Sequence, residues 1–364
     1  MITIDQIYAV ALHQIFGLQF NKHFLPLYEY YGSWQEMWER GHQAPPPGNM
    51  PLHMWEKFLE RRKILNPLAL VQELERKKIK VVTRLEETFP ATLLQIANTP
   101  CMLYYRGDIN ILQKKALAVV GARKASPYGL TQTRTIVQEL AQHDLVIVSG
   151  LARGIDGAAH EAALTAGGKT VAVLGSGVDI PYPRENKDLY HKIGEAGLLL
   201  SEFPPGTQPL DINFPVRNRI ISGLSSGVFI VEGQAKSGSL ITCDYALEQG
   251  KEVFALPGPV TSPLSLGPLR LIQQGAKLVI YAQDILEELG YEYTYNLFNR
   301  HQEKLINITR EEKELLNIIA WEPLHIDSIL ARWDIQRGDV YEILLKLELQ
   351  GLIKQLPGKY YVKI

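Results

Sequence analysis

Arginine, lysine and glycine residues cluster where predicted strands end, and their charged side chains and backbone N–H groups are groups that bind phosphate. Between residues 116 and 260 the sequence has 12 basic residues, and eight of them fall in or beside these segments. The eight are Arg123, Lys124, Arg153, Arg184, Lys187, Arg217, Arg219 and Lys236. The surrounding glycines let a backbone approach an anion closely. This pattern predicts a ligand that presents several phosphate groups.

Small residues beside these cations complete the predicted binding set. Ser237–Ser239 stand where a helix is predicted to begin, and helix N-termini bind phosphates through free N–H groups and the helix dipole. Besides the eight cations, the set contains Gly121, Gly150, Gly154, Asn218, Ser237, Gly238 and Ser239. Structural explanations remain open: the glycines also suit tight turns, and Arg217 and Arg219 also suit internal salt bridges.

Neither a metal site nor a catalytic centre is predicted. Asp156 and His160 are spaced i, i+4 on a predicted helix, but they have no third ligand, so capping and packing roles are favoured. No Ser-His-Asp order is found, and no cofactor is expected. Tyr182, Phe203 and Phe214 have rings suited to base stacking, although core packing is favoured for the two phenylalanines.

The elements that must position these residues alternate between short apolar runs and helical stretches. Near-continuous apolar runs are typical of strands buried on both faces of a parallel sheet. Helical spacing lies between the runs, as in Leu130–Gln142 and Gly154–Thr165. The predicted strands are 116–120, 145–149, 170–174, 197–201, 227–231, 252–256 and 277–281. The alternation predicts a doubly wound, mostly parallel Rossmann-like α/β sheet, whose ligands bind beyond the carboxyl ends of the strands.

Composition and hydrophobic pattern divide the sequence into four segments. Residues 1–85 are aromatic-rich and predict a helical, SAM-like domain, interrupted by a proline-rich loop at 41–51. Residues 86–290 form the predicted Rossmann-like domain, and 291–307 have the composition of a linker. Residues 308–364 predict helices followed by a β-rich end with a Pro-Gly turn, which is typical of a winged helix.

Composition limits the class of protein. The 364 residues carry a net charge of −1, and residues 116–260 hold 14 acidic against 12 basic side chains, so any polyanion site depends on local clustering. The two cysteines, Cys101 and Cys243, have no CxxC companion, which is compatible with a reducing cytosol. No apolar stretch is long enough for a bilayer, and MITIDQIYAV does not resemble a signal peptide. We expect a cytoplasmic protein without a membrane partner.

Two nucleotide-binding motifs are incomplete. GGKT (167–170) ends like a P-loop, but Ala163 stands at the first glycine position and the segment precedes a strand instead of following one. The segments that begin at Gly121 and Gly175 do not complete G-x-G-x-x-G, and no acidic residue ends the second predicted strand. Dinucleotide binding is therefore disfavoured.

Seven segments in order resemble the DprA (Smf) DNA-processing family. They are GARKASPYG (121–129), SGLARGIDGAAH (149–160), TVAVLGSGVDIPYPREN (170–186), FPVRNRIISGLS (214–225), SGSLIT (237–242), VFALPG (253–258) and LIQQGA (271–276). The resemblance covers roughly residues 86–281, and the flanking segments fit the family's layout loosely. Two departures are Ala122, where the family usually has Ser, and Leu269, where Asn is common.

This resemblance implies a homodimer that binds and protects single-stranded DNA and helps load RecA recombinase during natural transformation. By position, Arg123 and Lys187 would contact phosphates, and Arg153, Arg217 and Arg219 would line the same pocket. Backbone amides around Gly121, Gly150 and Ser237–Ser239 would complete it.

Two other classes compete with this interpretation. One is a nucleotide-acting Rossmann-like hydrolase related to the lysine-decarboxylase-like phosphoribohydrolases, but their P-G-G-x-G-T pattern is absent, since PGP (257–259) lacks the second glycine. The other is a transcription factor that acts through the winged helix. Residues 308–364 hold 8 basic and 9 acidic side chains, which suits a protein contact better than a duplex groove.

Overall fold

A computed structural model describes residues 2–43, 50–291, 309–319, 323–333 and 339–363 of the chain. The chain divides into two compact units, Met1–Glu292 and Tyr293–Ile364. The predicted linker 291–307 lies outside the described residues, except for residue 291. The middle of the proline-rich loop, residues 44–49, also lies outside them. In the parts of the chain that the structure describes, no helix has the length and apolar character needed to cross a bilayer.

The first unit is a nine-stranded sheet with helices on both faces. Its strands are β1 Lys80–Thr83, β2 Met102–Gly107, β3 Ala116–Val120, β4 Val146–Ser149, β5 Thr170–Val173, β6 Leu198–Ser201, β7 Gly227–Ile230, β8 Glu252–Ala255 and β9 Lys277–Leu278. Its helices are α1 Ile4–Phe16, α2 Phe20–Tyr31, α3 Trp34–Arg40, α4 Leu52–Arg62, α5 Pro67–Arg76, α6 Pro127–Gln142, α7 Ile155–Thr165, α8 Lys187–Ala196, α9 Asn213–Leu224, α10 Gly238–Glu248, α11 Leu266–Gln273 and α12 Ala282–Glu288.

The strand order β1-β2-β6-β5-β4-β3-β7-β8-β9 confirms the predicted doubly wound, mostly parallel fold. In this sheet order, every neighbouring pair in the stretch β6-β5-β4-β3-β7-β8-β9 is parallel. These seven strands correspond to the seven predicted apolar runs. β1 and β2 add an antiparallel edge that the sequence did not reveal. The order reverses between β3 and β7, and such a switch point opens a crevice at the carboxyl ends of the strands.

Alternating side chains give the sheet two apolar faces. Val171 and Val173 of β5 pack with the core beneath α9, α10 and α11. Ala172 and Leu174 point the other way, into a core that also holds the aromatic residues of α1–α4. The N-terminal helices therefore share a core with the sheet, and the sheet begins at Lys80, N-terminal to the boundary predicted after residue 85. The SAM-like character of residues 1–85 stays a prediction.

The second unit has the helix and strand order of a winged helix, which confirms that prediction. Its helices are α13 Arg310–Ile318, α14 Ile326–Leu330 and α15 Val340–Leu349, and its strands are β10 Leu324–His325, β11 Ile353–Leu356 and β12 Tyr360–Lys363. The strands form an antiparallel sheet in the order β10-β12-β11. An apolar core of its own, with Leu315, Ile329, Leu344, Leu347 and Ile353 among its members, holds the unit together.

Candidate nucleic-acid interface

Two adjoining cavities lie at the carboxyl ends of the strands. The larger, of about 430 Å³, opens at the switch point between the loops after β3 and β7 and is bounded by α9 and the start of α10. The smaller, of about 160 Å³, lies among the loops after β3, β4 and β5. We call the two together the strand-end pocket. Both cavities are lined by Arg123, Lys124, Ala152, Phe214 and Arg217.

Arg123 and Lys124 supply free positive charge to the strand-end pocket. Both side chains are exposed in the loop after β3, and neither has an ion-pair partner among the described residues. The Arg123 guanidinium lies 5.2 Å from the centroid of the Phe214 ring, within cation–π range. A cation held over an aromatic ring and left unpaired is well placed to meet a phosphate beside a stacked base.

Phe214 is a pocket residue, and the expectation that it packs in the core was wrong. It lies in the first turn of α9, lines both cavities and stacks on Tyr182 with ring centroids 5.7 Å apart and planes 23° apart. A Cβ at Gly175 would come within 2.6 Å of the Phe214 ring, so residue 175 must be glycine for the ring to occupy this position. Phe203, by contrast, is buried as expected.

Arg217 forms the floor of the strand-end pocket. Its side chain is buried, and it donates hydrogen bonds to the backbone carbonyls of Gly150 and Val173, which follow or end β4 and β5. A Cβ at Gly150 would come within 2.5 Å of the guanidinium. Burial lowers the pKa of Arg217 to about 10, against the attraction of Asp156, so the guanidinium remains charged at neutral pH. Arg217 therefore ties the strand ends together and places a guanidinium beneath the pocket, close to the Asp156 carboxylate.

Arg219 does not belong to the strand-end pocket, which corrects its predicted role. It is buried and forms an ion pair with Glu202, which follows β6, with 2.5 Å between Nη2 and Oε1. Asn21 of α2 donates to the same carboxylate oxygen at 2.7 Å. Burial raises the pKa of the Glu202 carboxyl, and Arg219 opposes that rise. Arg219 is a structural residue that joins α9 to the sheet and to the N-terminal helices.

The start of α10 closes the far side of the larger cavity. Ser237 caps this helix by accepting a hydrogen bond from the Ser239 N–H, and the Ser237 and Ser239 hydroxyls are 2.8 Å apart. Asn218 donates to the Gly238 carbonyl and so ties α9 to this turn. The positive end of the helix dipole and the first-turn N–H groups consequently lie at the pocket.

The other predicted residues divide between neighbouring surfaces. Gly121 lines the larger cavity, and Gly150 and Arg153 line the smaller one, where Arg153 forms an exposed ion pair with Glu185 at 3.2 Å. Lys236 lines an adjacent cavity of about 460 Å³. The predicted residues that line neither cavity of the strand-end pocket are Gly154, Arg184, Lys187, Arg219 and Lys236.

Gly154 has a structural explanation. It adopts a φ of 72°, and an added Cβ would lie 2.2 Å from the Ala122 carbonyl oxygen. The Ile155 N–H donates to that same carbonyl at 3.2 Å, so this close approach joins the loops after β3 and β4. The glycine thus helps to shape the pocket without lining it.

Glu232 is a positioning residue that the sequence analysis did not single out. It follows β7, is buried, and accepts hydrogen bonds from the backbone N–H and the hydroxyl of Ser126 at 2.9 and 2.5 Å. Ser126 caps α6, so Glu232 holds the loop that presents Arg123 and Lys124. Its only sequence signal was an acidic residue directly after an apolar strand. Asp211, another residue not singled out, places a carboxylate on the rim of the larger cavity.

Asp156 and His160 hold structure in place, as the sequence favoured. The Asp156 carboxylate accepts the N–H groups of Gly150 and Ala152 at 3.1 and 3.4 Å. His160 is buried with Nδ1 2.6 Å from the Thr170 hydroxyl, and burial lowers its pKa to about 3. Within the described parts of the chain, no three His, Cys, Asp or Glu side chains come together as metal ligands.

The fold and the pocket define an α/β protein with a cationic crevice at the switch point of its sheet and a winged helix in the same chain. Residues 80–290 match the family described as DNA recombination-mediator protein A, and residues 302–359 match the DprA winged helix domain. The chain belongs to the DprA/Smf family of DNA recombination mediators.

Individual relatives agree with this assignment. The chain is 46% identical over 234 residues to the DNA processing protein DprA of Streptococcus pneumoniae, covering 64% of this chain and 82% of that protein. It is 43% identical over 281 residues to Protein Smf of Escherichia coli, covering 75% of each.

Two solved structures extend the comparison. The X-ray structure of the Streptococcus pneumoniae DprA aligns with a TM-score of 0.66 at 40% identity, covering 80% of this chain and 99% of that one. A structure of DNA processing protein A from Helicobacter pylori, described for its single-stranded DNA binding mode, aligns with a TM-score of 0.54 at 30% identity. That alignment covers 58% of this chain and 95% of the other.

Proposed function

We propose that this chain binds single-stranded DNA in the strand-end pocket, protects it and helps to load RecA recombinase on it. The observation that supports this best is the conjunction of unpaired Arg123 and Lys124 with the Phe214 ring and the start of α10. Phosphates need cations and N–H donors, whereas exposed bases need an aromatic face, and a single strand presents both. The Helicobacter pylori relative, described as a single-stranded DNA-binding protein, supports the same ligand.

We expect single strands to bind at least about tenfold more tightly than duplexes of equal length, which is about 1.4 kcal/mol. The reason is that the strand-end pocket is recessed between loops, so it admits a splayed strand with a stacked base, while a duplex keeps its bases in its own stack. Fluorescence anisotropy with matched single-stranded and duplex oligonucleotides measures this ratio. Equal affinity for the two forms contradicts the proposal.

The chain acts as a binding protein and performs no chemical step on the strand. Asp156, which lines the larger cavity, and His160 are engaged in loop and core hydrogen bonds, and burial keeps His160 neutral. The other carboxylate of the lining, Asp211, is exposed at the rim. The competing proposal, a nucleotide-acting hydrolase, requires an activated group at the pocket. We expect no product above the buffer control when nucleoside monophosphates or ATP are incubated with the protein. A rate that Asp156→Asn abolishes supports the hydrolase instead.

The winged helix contacts protein, and its recognition helix does not read duplex DNA. In α15 the acidic Glu342 and Glu348 outnumber Lys346, whose ammonium is paired with Glu342 at 2.7 Å. A groove-reading helix needs a cationic face to neutralise phosphates. This argument counts equally against a transcription factor that acts through this unit.

We expect deletion of residues 308–364 to leave most of the affinity for single strands, because the pocket residues lie in the first compact unit, which has its own core. Thermal melting verifies that the shortened chain is folded, and an anisotropy titration then gives its affinity. Loss of most of the affinity in a folded, shortened chain places the binding site elsewhere.

A homodimer in the cytoplasm is part of the proposal. β9 is an edge strand. Leu278 at its end and Ile280 and Tyr281 after it expose 41%, 54% and 57% of their surfaces, which favours pairing with a second copy. Cys101 and Cys243 are free thiols, as in a reducing compartment. Sedimentation of the purified protein tests the dimer, and RecA filament formation on coated single strands tests the loading role.

A further inference from the structure

A second cationic surface lies at the opposite end of the sheet from the strand-end pocket. A groove of about 610 Å³ runs between the end of α5, the start of β1, the end of β2 and the second half of α8. The pairing of Gly107 with Leu198, the first residue of β6, puts this groove at the amino ends of the parallel strands. We call it the amino-edge groove; its cationic residues are Arg76, Lys77, Lys78, Lys80 and Arg106.

Most of the positive charge in the amino-edge groove is uncompensated. Among ion pairs between described residues, those that involve a cation of this groove are the pairs of Lys77 with Glu73 at 2.7 Å and with Asp179 at 2.9 Å. Arg76, Lys78 and Lys80 are exposed and form no ion pair within the parts of the chain that the structure describes. Among the described residues that line the groove, Glu195 is the only acidic one, and its side chain is exposed.

Arg106 adds a cation from the sheet itself. It donates through Nη1 to the Tyr190 hydroxyl at 3.0 Å, and its buried Nε has no hydrogen-bond partner among the described residues. Arg76 and Lys78 at the end of α5 also complement the negative end of that helix dipole. Lys80 and Arg106 lie on strands, where no helix dipole explains them. The helix therefore accounts for only half of the unpaired cations.

The walls of the groove favour a phosphate backbone over a protein partner. Its large apolar members, Tyr190 and Leu199, are buried in the core, and two of its remaining positions are Gly107 and Gly194. Protein interfaces are centred on exposed Trp, Tyr, Phe or aliphatic anchors, which this lining lacks; its exposed ring is the imidazole of His191. A smooth cationic groove without such anchors suits a chain of phosphates, which needs charge and close approach but no apolar contact.

We propose that the amino-edge groove is a second contact for single-stranded DNA, which binds the phosphates of a strand longer than the strand-end pocket holds. The inference rests on the proposed function, because it extends the path of the same ligand. It gives a chain whose net charge is −1 two separate cationic surfaces, one at each end of the sheet. Short oligonucleotides occupy only the strand-end pocket, and long ones engage both surfaces.

The test compares three charge-neutralised proteins on oligothymidylates of two lengths, about 6 and about 40 nucleotides, chosen around the usual site size of a single-strand binding domain. The groove variant is the full chain with Arg76→Gln, Lys78→Gln and Lys80→Gln. The matched control removes the same charge from exposed positions on α4 and at its C-cap, through Lys57→Gln, Arg61→Gln and Lys63→Gln. The third protein is Arg123→Ala. Affinity is measured across a range of salt concentrations.

We expect the groove variant to bind the short oligonucleotide like the wild type. On the long one, the slope of log K against log salt should flatten by about 2, or about 0.7 for each of three lost phosphates. Equal behaviour of the groove and α4 variants overturns the inference, and so does an equal loss on both lengths. If the triple variant has a lower melting temperature than the wild type, the single variant Lys80→Glu takes its place in the test. It must then weaken binding of the long oligonucleotide and leave binding of the short one unchanged.

The two proposals can fail separately. If Arg123→Ala leaves the short complex unchanged, the strand-end pocket is not the binding site and the proposed function fails, whatever the groove variant shows. If Arg123→Ala weakens both lengths and the groove variant weakens neither, only the second contact is wrong. Retained DNA binding together with lost capture of an acidic protein by the groove variant would assign the groove to that partner and reject the inference.

Discussion

Arg123→Ala is expected to weaken the binding of every single-stranded sequence by about 10- to 100-fold, since a hydrogen bond to a charged group contributes about 1.5–3 kcal/mol. The lost phosphate contact should also flatten the salt slope by about 0.7. Arg123 is exposed, with Phe214 as its described contact, so the melting temperature should stay near that of the wild type. Salt-titrated anisotropy and a thermal melt measure both properties.

Arg134→Ala is the matched control for Arg123→Ala. Arg134 lies on α6 in the same unit, is partly exposed, and has only a long ion pair with Glu161 at 3.8 Å. It lines neither cavity of the strand-end pocket, so its removal changes the net charge equally without touching the pocket. If the two variants have the same affinity and salt slope, Arg123 contacts no phosphate.

Arg219→Ala is expected to have a large effect of a different kind, a loss of about 3–5 kcal/mol in the free energy of unfolding. The substitution leaves the Glu202 carboxylate buried without its cation, and Glu202 then takes up a proton more readily because burial already raises its pKa. Protein that remains folded should keep the wild-type salt slope, because Arg219 lies outside the strand-end pocket. Urea unfolding and salt-titrated binding separate the two effects.

The double variant Arg219→Met with Glu202→Leu is the control for the buried pair. Replacing a buried ion pair by apolar residues of similar volume is often close to neutral, whereas removing one partner is not. The double variant should therefore recover most of the stability that Arg219→Ala loses. An Arg219→Ala protein with wild-type stability and a flattened salt slope contradicts the structural role and restores the sequence-based prediction.

The different roles of Arg217 and Arg219 show what the sequence could not provide. Residues 201–219 follow a predicted strand and contain four prolines, which disfavour a helix, but α9 begins at Asn213 and accommodates Pro215 in its first turn, where no N–H is required. Helix positions i and i+2, such as Arg217 and Arg219, lie about 200° apart around the helix axis. Consequently one arginine of RNR faces the strand-end pocket, and the other faces the Glu202 carboxylate on the opposite side.

The parallel part of the sheet was predictable, because strands buried on both faces have near-continuous apolar sequences. β1 and β2 were not, since only three residues separate KVVT from α5 and antiparallel strands do not require a continuous apolar run. The position of Arg123 and Lys124 at the pocket followed from the strand ends alone. Glu232, which holds their loop, and Phe214, which stacks beside them, depended on which loops the strand order brings together.

The most direct test of the central claim is a crystal structure of the full chain with a short oligothymidylate. We expect a phosphate oxygen about 3 Å from the Arg123 guanidinium, a second near the first-turn N–H groups of α10, and a base stacked against Phe214. Arg219 should remain paired with Glu202 and touch no nucleotide. A strand that lies wholly on another surface, with Arg123 contacting no phosphate, contradicts the account.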